Sequence, residues 1–306
     1  MTSAFDFSPE ETWFDRPLGF SVPARHARGR VVRLGGVLDE VLSSHDYPPA
    51  IRHLLAEALV LTALIGSLAK EGDSQITIQA QAQKGDGAGI VDLLVCDCRG
   101  GEVRGYVRHD PDRLGPVGAN PTLDALFGDA GYLAITFDLA ASAERYQGIV
   151  PLTGSSLAQA CESYFEQSEQ IPTLLRVAIR SEGAHTVAGG LLVQHFPEGE
   201  EGRTRLHVKA AYPDWEHVAV LGGSIRHDEL IDPGLSLESV VWRLFHEETV
   251  LVEPLTPLAR GCRCTVEHYR KILSSFPESE LAQMREDDGQ IAVDCAFCSR
   301  VFRISL

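Results

Sequence analysis

Two close cysteine pairs, Cys262-Arg263-Cys264 and Cys295-Ala296-Phe297-Cys298, lie 30 residues apart near the C-terminal end of the 306-residue chain. Four thiolates in two chelating pairs suit a tetrahedral zinc ion, with Zn–S bonds of about 2.3 Å, and they leave no open position for a substrate water. Such a site is structural or redox-active rather than hydrolytic. Residues 262–306 are too few to be stabilised by an apolar core alone, so we expect their folding to be coupled to metal binding.

The spacing of the cysteines leaves two roles for this site open. One is a static zinc knuckle that staples the C-terminal segment. The other is a redox switch, because cytosolic zinc thiolates are nucleophiles that peroxide or hypochlorite can oxidise. The first pair is C-x-C rather than the C-x-x-C of a common zinc ribbon, and basic residues near it would favour the thiolate form: Arg260, Arg263, His268, Arg270 and Lys271.

Composition excludes several classes of protein. The chain carries 27 basic and 43 acidic residues, a formal charge of −16, which repels nucleic acid and anionic lipid surfaces. The longest apolar run, Leu54–Leu68, is too short and too interrupted to predict a membrane span. The N-terminus lacks the basic and apolar regions of a signal peptide, so we expect a cytoplasmic protein with reduced cysteines.

Hydrophobic periodicity predicts an α+β fold with a mixed sheet-and-helix core over residues 1–208. Apolar residues at helical spacing indicate a long buried helix over Pro48–Lys70, and Ser155 or Ser156 can cap a second helix before Pro172. Strictly alternating segments predict antiparallel strands. They are Gln75–Ala82, Ile90–Cys96, Val103–Val107, Tyr132–Phe137, Tyr146–Val150, Leu174–Ile179 and Gly189–Phe196.

Residues 209–261 read as a helical linker. Short helical stretches over Trp215–Leu221 and Leu237–Phe245 are divided by glycine and proline, and the segment is too interrupted to form a core of its own. Residues 262–306 then form the small four-cysteine zinc domain, in which the alternation over Ile291–Phe302 predicts a hairpin.

Other candidate sites are weaker. Cys96-Asp97-Cys98 could be a redox pair or an accessory metal site, but it has no matching second pair nearby, and a free cysteine is commonly a small buried hydrophobe. Cys161 lies on the apolar face of its predicted helix. No nucleophile elbow, zinc-protease motif or phosphate-binding loop occurs, so we predict that the protein is not an enzyme.

Five further motifs accompany the cysteine pairs: His45-Asp46-Tyr47-Pro48, Arg104-Gly105-Tyr106, Arg145-Tyr146-Gln147-Gly148, Tyr164–Thr173 and Val241–Glu248. Together they resemble the heat shock protein 33 family of redox-regulated holdase chaperones, and the resemblance covers nearly the whole chain. One departure is Ser299, which stands where glycine or asparagine is expected.

The resemblance implies a metastable linker folded onto the core and a C-terminal switch that binds one zinc ion per chain through Cys262, Cys264, Cys295 and Cys298. It also implies that oxidation forms the disulfides Cys262–Cys264 and Cys295–Cys298, and that a reduced monomer becomes an oxidised dimer. The partners it implies are unfolded or oxidatively damaged client proteins.

Two hypotheses from different classes compete with an oxidation-activated, ATP-independent holdase. One is a dithiol–disulfide oxidoreductase that uses Cys295 and Cys298, and the other is a plain zinc-ribbon adaptor. A catalytic C-x-x-C usually opens a helix, whose dipole lowers the thiol pKa.

In the linker, Trp242, Leu244 and Phe245 are expected to be buried in the core in the resting state and to bind clients after the linker is released.

Overall fold

The computed structural model describes residues 14–69, 74–82, 89–115, 121–140, 145–183, 185–196 and 213–305. Its strands form a five-stranded sheet, a six-stranded sheet and a two-stranded hairpin. The α+β class predicted from the sequence is confirmed. The boundary predicted at residues 208 and 209 lies outside the described residues.

The five-stranded sheet, sheet A, is antiparallel throughout. Its members are β1 (Leu18–Val22), β2 (Ala27–Leu34), β8 (Thr173–Glu182), β9 (His185–His195) and β10 (Leu251–Pro254). They lie in the order β10-β1-β2-β9-β8. The edge strand β10 comes from the linker region, which the sequence predicted to be helical; it pairs with β1 from Leu18 opposite Pro254 to Ser21 opposite Leu251.

The six-stranded sheet, sheet B, contains the alternating strands predicted between residues 75 and 150. Its members are β3 (Gln75–Gln81), β4 (Val91–Arg99), β5 (Glu102–His109), β6 (Tyr132–Asp138), β7 (Arg145–Pro151) and β11 (Ala259–Arg260). They lie in the order β11-β5-β4-β3-β6-β7. β11 is a second unpredicted strand of the linker region, and it joins β5 in parallel through Ala259 and Arg260.

The long predicted helix is α2 (Pro49–Gly66), which contacts both sheets. By length and composition it could cross a membrane, but 78% of it is buried inside the protein, as in a core helix. Around it lie α1 (Gly36–Leu42), α3 (Leu123–Phe127) and α4 (Leu157–Tyr164), the last with Ser156 as N-cap and a π-helical turn, Phe165–Glu169, at its end. Both helices predicted for the core are therefore confirmed.

The linker helices are α5 (Pro213–Gly223), α6 (His227–Ile231) and α7 (Leu237–Phe245). They cover the face of sheet A that points away from α2, and their apolar side chains share one cluster with those of β1, β2, β8 and β9. These three helices therefore bury their apolar side chains against sheet A. The two helical stretches predicted from the sequence correspond to α5 and α7.

One expectation for the linker is wrong. Leu244 and Phe245 are buried, but Trp242 is 66% exposed and lies beside His246. The buried positions of α7 repeat at helical spacing (Leu237, Val240, Val241, Leu244 and Phe245), and a turn of 100° per residue places position 242 on the opposite side.

The C-terminal module contains α8 (Val266–Leu273), α9 (Glu278–Met284) and an antiparallel hairpin of β12 (Ile291–Asp294) and β13 (Val301–Ile304). The predicted hairpin is therefore confirmed. Its cluster of buried residues is small and separate from the other two: Leu273, Leu281, Ile291, Cys295, Phe302 and Ile304.

Candidate metal centre and its docking to the core

The four C-terminal thiols converge on one point. Their sulfur atoms all lie within 4.8 Å of one another. The Sγ atom of Cys262 lies 3.1 Å from that of Cys264 and 3.6 Å from that of Cys295, and Cys264 lies 3.5 Å from Cys298. A tetrahedron with Zn–S bonds of about 2.3 Å has edges of about 3.8 Å. Four soft donors at these separations are therefore positioned to hold a tetrahedral metal ion.

Local backbone structure presents both pairs. Cys262 and Cys264 lie between β11 and Thr265, whose hydroxyl accepts a hydrogen bond from the His268 N–H and so caps α8. Cys295 and Cys298 lie in the turn between β12 and β13, where the carbonyl oxygen of Cys295 accepts from the N–H groups of Cys298 (3.2 Å) and Ser299 (2.8 Å). This turn places Ser299 in the left-handed region at φ 55°, which explains why glycine or asparagine is favoured there.

Hydrogen bonds distinguish Cys295 from the other thiols. Burial opposes its ionisation, but the Tyr269 hydroxyl and the N–H groups of Phe297 and Cys298 stabilise the thiolate and lower its pKa to about 6. Burial and the neighbouring thiols raise the pKa of Cys264, and burial raises that of Cys298. A bound cation would instead favour the thiolate forms of Cys264 and Cys298, because a thiol that coordinates a metal ion is deprotonated.

The basic residues expected to favour thiolates point elsewhere where the structure shows their contacts. Arg260 donates to the Ser44 hydroxyl (2.8 Å), and Arg263 donates to Asp97 and to Gln75 Oε1 (2.9 Å). These two arginines therefore contact the core, whereas the sequence predicted that they favour the thiolate form of the cysteines.

Arg263 connects the metal site to sheet B. It stands between two candidate ligands in sequence, and its guanidinium forms an ion pair with Asp97 on β4. The second carboxylate oxygen of Asp97 accepts from Arg104 on β5 at 2.9 Å. Asp97 itself is 2% exposed. One buried carboxylate thus bridges an arginine of the core and an arginine of the cysteine module.

Aromatic contacts extend this interface. Phe297, inside the second cysteine pair, packs edge-on against Tyr106 with ring centroids 4.9 Å apart. The Arg104 guanidinium lies 4.0 Å from the centroid of the same Phe297 ring, within cation–π distance. Nearby, the Ser299 hydroxyl lies 3.0 Å from His45 Nδ1. Residues on both sides of Cys298 therefore contact the core directly.

The remaining cysteines lie away from the candidate metal centre. Cys96, Cys98 and Cys161 are buried in the apolar core around α2. Burial raises their thiol pKa values, that of Cys98 to about 11, so they are poor nucleophiles at neutral pH. Sequence reasoning considered the two thiols of Cys96-Asp97-Cys98, but the residue that reaches the C-terminal module is the aspartate between them. Strand alternation could have indicated this role from the sequence, because it turns Asp97 to the face of β4 opposite the two thiols.

Comparison with known proteins agrees with this architecture. The family model described as Hsp33 protein matches residues 15–305. A 33 kDa chaperonin of Caulobacter vibrioides is 38% identical over 307 residues, which are 98% of each chain. One of Shigella boydii is 34% identical over 272 residues, which are 89% of this chain and 85% of that one. A crystal structure of the Thermotoga maritima 33 kDa chaperonin, an Hsp33 homologue, shares the fold with a TM-score of 0.76 at 22% identity and 95% coverage of both chains. On fold and sequence, this chain belongs to the Hsp33 family.

Proposed function

We propose that this protein is a redox-regulated, ATP-independent chaperone that holds unfolding clients after its zinc thiolates are oxidised. The observation that carries the proposal is the convergence of four thiols in a module with a small apolar core, next to a linker that covers an apolar sheet face. Family membership and the chaperonin names of the relatives support the chaperone role. We further propose that the units are a core (1–208), a linker (209–261) and a switch (262–306), and that the protein is cytoplasmic.

In the proposed resting state, Cys262, Cys264, Cys295 and Cys298 hold one zinc ion, which supplies cross-linking of the module rather than catalysis. Structural zinc binding is worth roughly 10–16 kcal/mol at neutral pH, which exceeds the stability expected of so small a core. The module therefore depends on its thiolates remaining reduced. Fully coordinated cysteine sites of this type leave no place for a substrate.

Oxidation converts each cysteine pair into a disulfide. Two thiolates give two electrons to one hydrogen peroxide, which takes up two protons and leaves as two water molecules. Two such steps would consume all four thiolates, so these residues would no longer hold a zinc ion, whose own oxidation state does not enter the balance. We propose the pairs Cys262–Cys264 and Cys295–Cys298, which lie close in sequence. Cys262–Cys295 and Cys264–Cys298 are also sulfur neighbours, and peptide mapping without reductant distinguishes the two connectivities.

The chain itself carries the signal from the switch to the linker. Cys262 follows β11 after one residue, and the Gly261 N–H donates to the Val103 carbonyl at 3.0 Å. Upstream, β10 pairs with β1, and the linker helices precede it. Disorder of the module would remove the Arg263 and Phe297 contacts that hold this end of the linker on the core. Segments with few anchoring contacts open first, so we propose that the linker follows.

Release of the linker would expose the apolar face of sheet A and the buried linker residues Leu244 and Phe245. Unfolded clients would bind this surface by apolar contact, together with the already exposed Trp242. The net charge of −16 would help to keep such complexes in solution. We propose that the oxidised form dimerises and that the reduced form is monomeric.

The test is aggregation of a thermally unfolding client, followed by light scattering without ATP. Oxidised, zinc-free protein should suppress the scattering at a stoichiometric ratio, and reduced, zinc-bound protein should not. A Cys262→Ser, Cys295→Ser variant, which cannot form either proposed disulfide or the four-thiolate site, should suppress scattering with or without oxidant. Equal suppression by reduced and oxidised wild-type protein would contradict the redox switch.

The oxidoreductase hypothesis has one observation in its favour, the lowered pKa of Cys295. Its C-x-x-C lies in a hairpin turn rather than at a helix N-terminus, however, so the dipole that usually activates such a motif is missing at this described site. Turnover separates the two functions: an oxidoreductase reduces many equivalents of a model disulfide per chain, and a holdase binds its client once.

A further inference from the structure

The face of sheet A beneath the linker carries arginine side chains as well as apolar ones. Strand alternation places Arg33, Arg176 and Arg180 on the side of the linker-contacting residues Val31, Leu174 and Ala178. Arg176 also pairs with Glu162 of α4, and Arg180 pairs with Glu182, whereas Arg33 donates hydrogen bonds to the linker. The segment that covers this face has the opposite charge. Residues 213–250 contain eight acidic and two basic residues.

Arg33 provides the most specific contact. Its side chain is completely buried, and its guanidinium donates to three linker carbonyl oxygens, those of Leu230 (2.9 Å), Leu235 (2.8 Å) and Glu229 (3.2 Å). These carbonyl groups lie at and beyond the C-terminal end of α6, where the peptide dipoles favour a cation. A buried cation requires acceptors, and here the linker supplies them.

Arg25 fixes both ends of the helical linker. It donates to Asp214 Oδ1 at the start of α5 (2.9 Å) and to Glu248 Oε1 just after α7 (2.8 Å). Glu248 also lies 3.2 Å from His217 Nε2, and its side chain is 10% exposed. Carboxylates of the linker therefore meet an arginine of the core at the edge of the apolar face.

We propose that the uncovered face of sheet A selects amphipathic client segments that are acidic, because such segments reproduce the charge pattern of the linker they replace. This inference rests on the proposed holdase function and names the chemistry of its partner. Without the linker, Arg25 and Arg33 lose their acceptors. A client segment with carboxylates beside apolar side chains restores the two carboxylate contacts of Arg25 and places negative charge near Arg33, and a basic or neutral segment supplies no carboxylate to either arginine.

Whole-molecule electrostatics predicts the opposite preference. A net charge of −16 repels acidic segments at long range and attracts basic ones. At physiological salt, however, the Debye length is about 8 Å, so exposed charges farther away are largely screened and the arginines in contact with the bound segment dominate. Long-range repulsion therefore predicts weaker binding of an acidic peptide than of a neutral one, whereas contact with the arginines predicts tighter binding of the acidic peptide.

The experiment uses the full-length, oxidised, zinc-free protein and two fluorescent peptides at about 0.15 M salt, near the physiological ionic strength. One peptide has the sequence of residues 213–248, which includes both carboxylate partners of Arg25, and the other has its Asp and Glu residues replaced by Asn and Gln. The two peptides therefore carry the same apolar side chains and differ only in charge. We expect the amide peptide to bind at least about fivefold more weakly in anisotropy titrations, the effect of losing the two charge-assisted contacts with Arg25.

A matched pair of protein variants locates the effect. Arg25→Gln removes a partner of two linker carboxylates and should reduce the advantage of the acidic peptide. Arg145→Gln removes an exposed arginine of β7 in sheet B and should leave it unchanged. Equal or tighter binding of the amide peptide, no binding of either peptide, or equal effects of the two variants would overturn the inference. The proposed function fails separately, if the same oxidised protein does not suppress client aggregation.

Discussion

Replacing Gly189 by alanine should release the linker without oxidation. Gly189 lies on β9 directly opposite Arg33, under the end of α6. A Cβ atom at this position would lie 2.3 Å from the Leu230 carbonyl oxygen and 2.8 Å from its carbonyl carbon. Real Cβ contacts do not approach so closely, so α6 would have to move. The same carbonyl oxygen accepts from Arg33, and that hydrogen bond would be strained too.

The expected magnitude follows from the overlap. Inserting a methyl group into a packed interface costs typically 1–3 kcal/mol, and each 1.4 kcal/mol is a factor of ten in an equilibrium constant. The ratio of docked to released linker should therefore fall by about 5- to 150-fold. Gly189 pairs regularly with β2 and β8, and alanine is compatible with a β-strand, so the sheet itself should form.

The assay is hydrogen exchange of residues 213–250 in the reduced, zinc-loaded variant, with client light scattering measured in parallel. Gly223→Ala is the matched control, because its added Cβ would make an ordinary contact, 3.6 Å from Arg176. We expect faster exchange and partial chaperone activity for Gly189→Ala and neither for Gly223→Ala. Wild-type protection of the linker in both variants would refute the docking argument.

Three further predictions concern the module, the core and the metal. Asp97→Asn should weaken docking of the cysteine module, by up to about 3 kcal/mol for a buried pair, and should speed peroxide-driven zinc release; an unchanged release rate would contradict the bridge between Arg104 and Arg263. Burial raises the pKa of Glu57 to about 7 from its ordinary 4.5, so its contribution to stability is complete below about pH 4.5 and is lost as the pH rises through 7. Chemical denaturation at several pH values should therefore show a free energy of unfolding that falls over this range, and Glu57→Gln should abolish the fall. A fall that persists in the variant would assign it to other groups. Metal analysis should find one zinc ion per reduced chain, lost in Cys262→Ser, Cys295→Ser and kept in Cys96→Ser; the reverse pattern would place the site elsewhere.

The sequence predicted the parts of the fold that depend on local periodicity. The alternation over Gln75–Ala82 has one structural solution, a half-buried strand, and β3 follows it almost residue for residue. The pattern of α7 likewise has one apolar stripe, although treating Trp242 as part of it ignored its angular position on the helix. The cysteine spacing was sufficient to bring the four ligand candidates together.

The contacts between modules could not be predicted in the same way. β10 and β11 are short, and Leu251–Pro254 is exposed along its whole length, so their strand character comes from pairing with β1 and β5 rather than from their own pattern. Asp97 looked like a spacer between two cysteines. Its role depends on Arg263, which lies 166 positions away in sequence and meets it only in the folded chain.

The most direct test of the account measures zinc and the linker in one sample. Full-length reduced protein is treated with peroxide, released zinc is followed with a chromogenic chelator, and hydrogen exchange is recorded over residues 213–250 and over β4 and β5. We predict that protection of the linker falls as zinc is released, whereas the strands of sheet B remain protected. A linker that stays protected after complete zinc release would contradict the central claim that the metal centre holds the linker on the sheet.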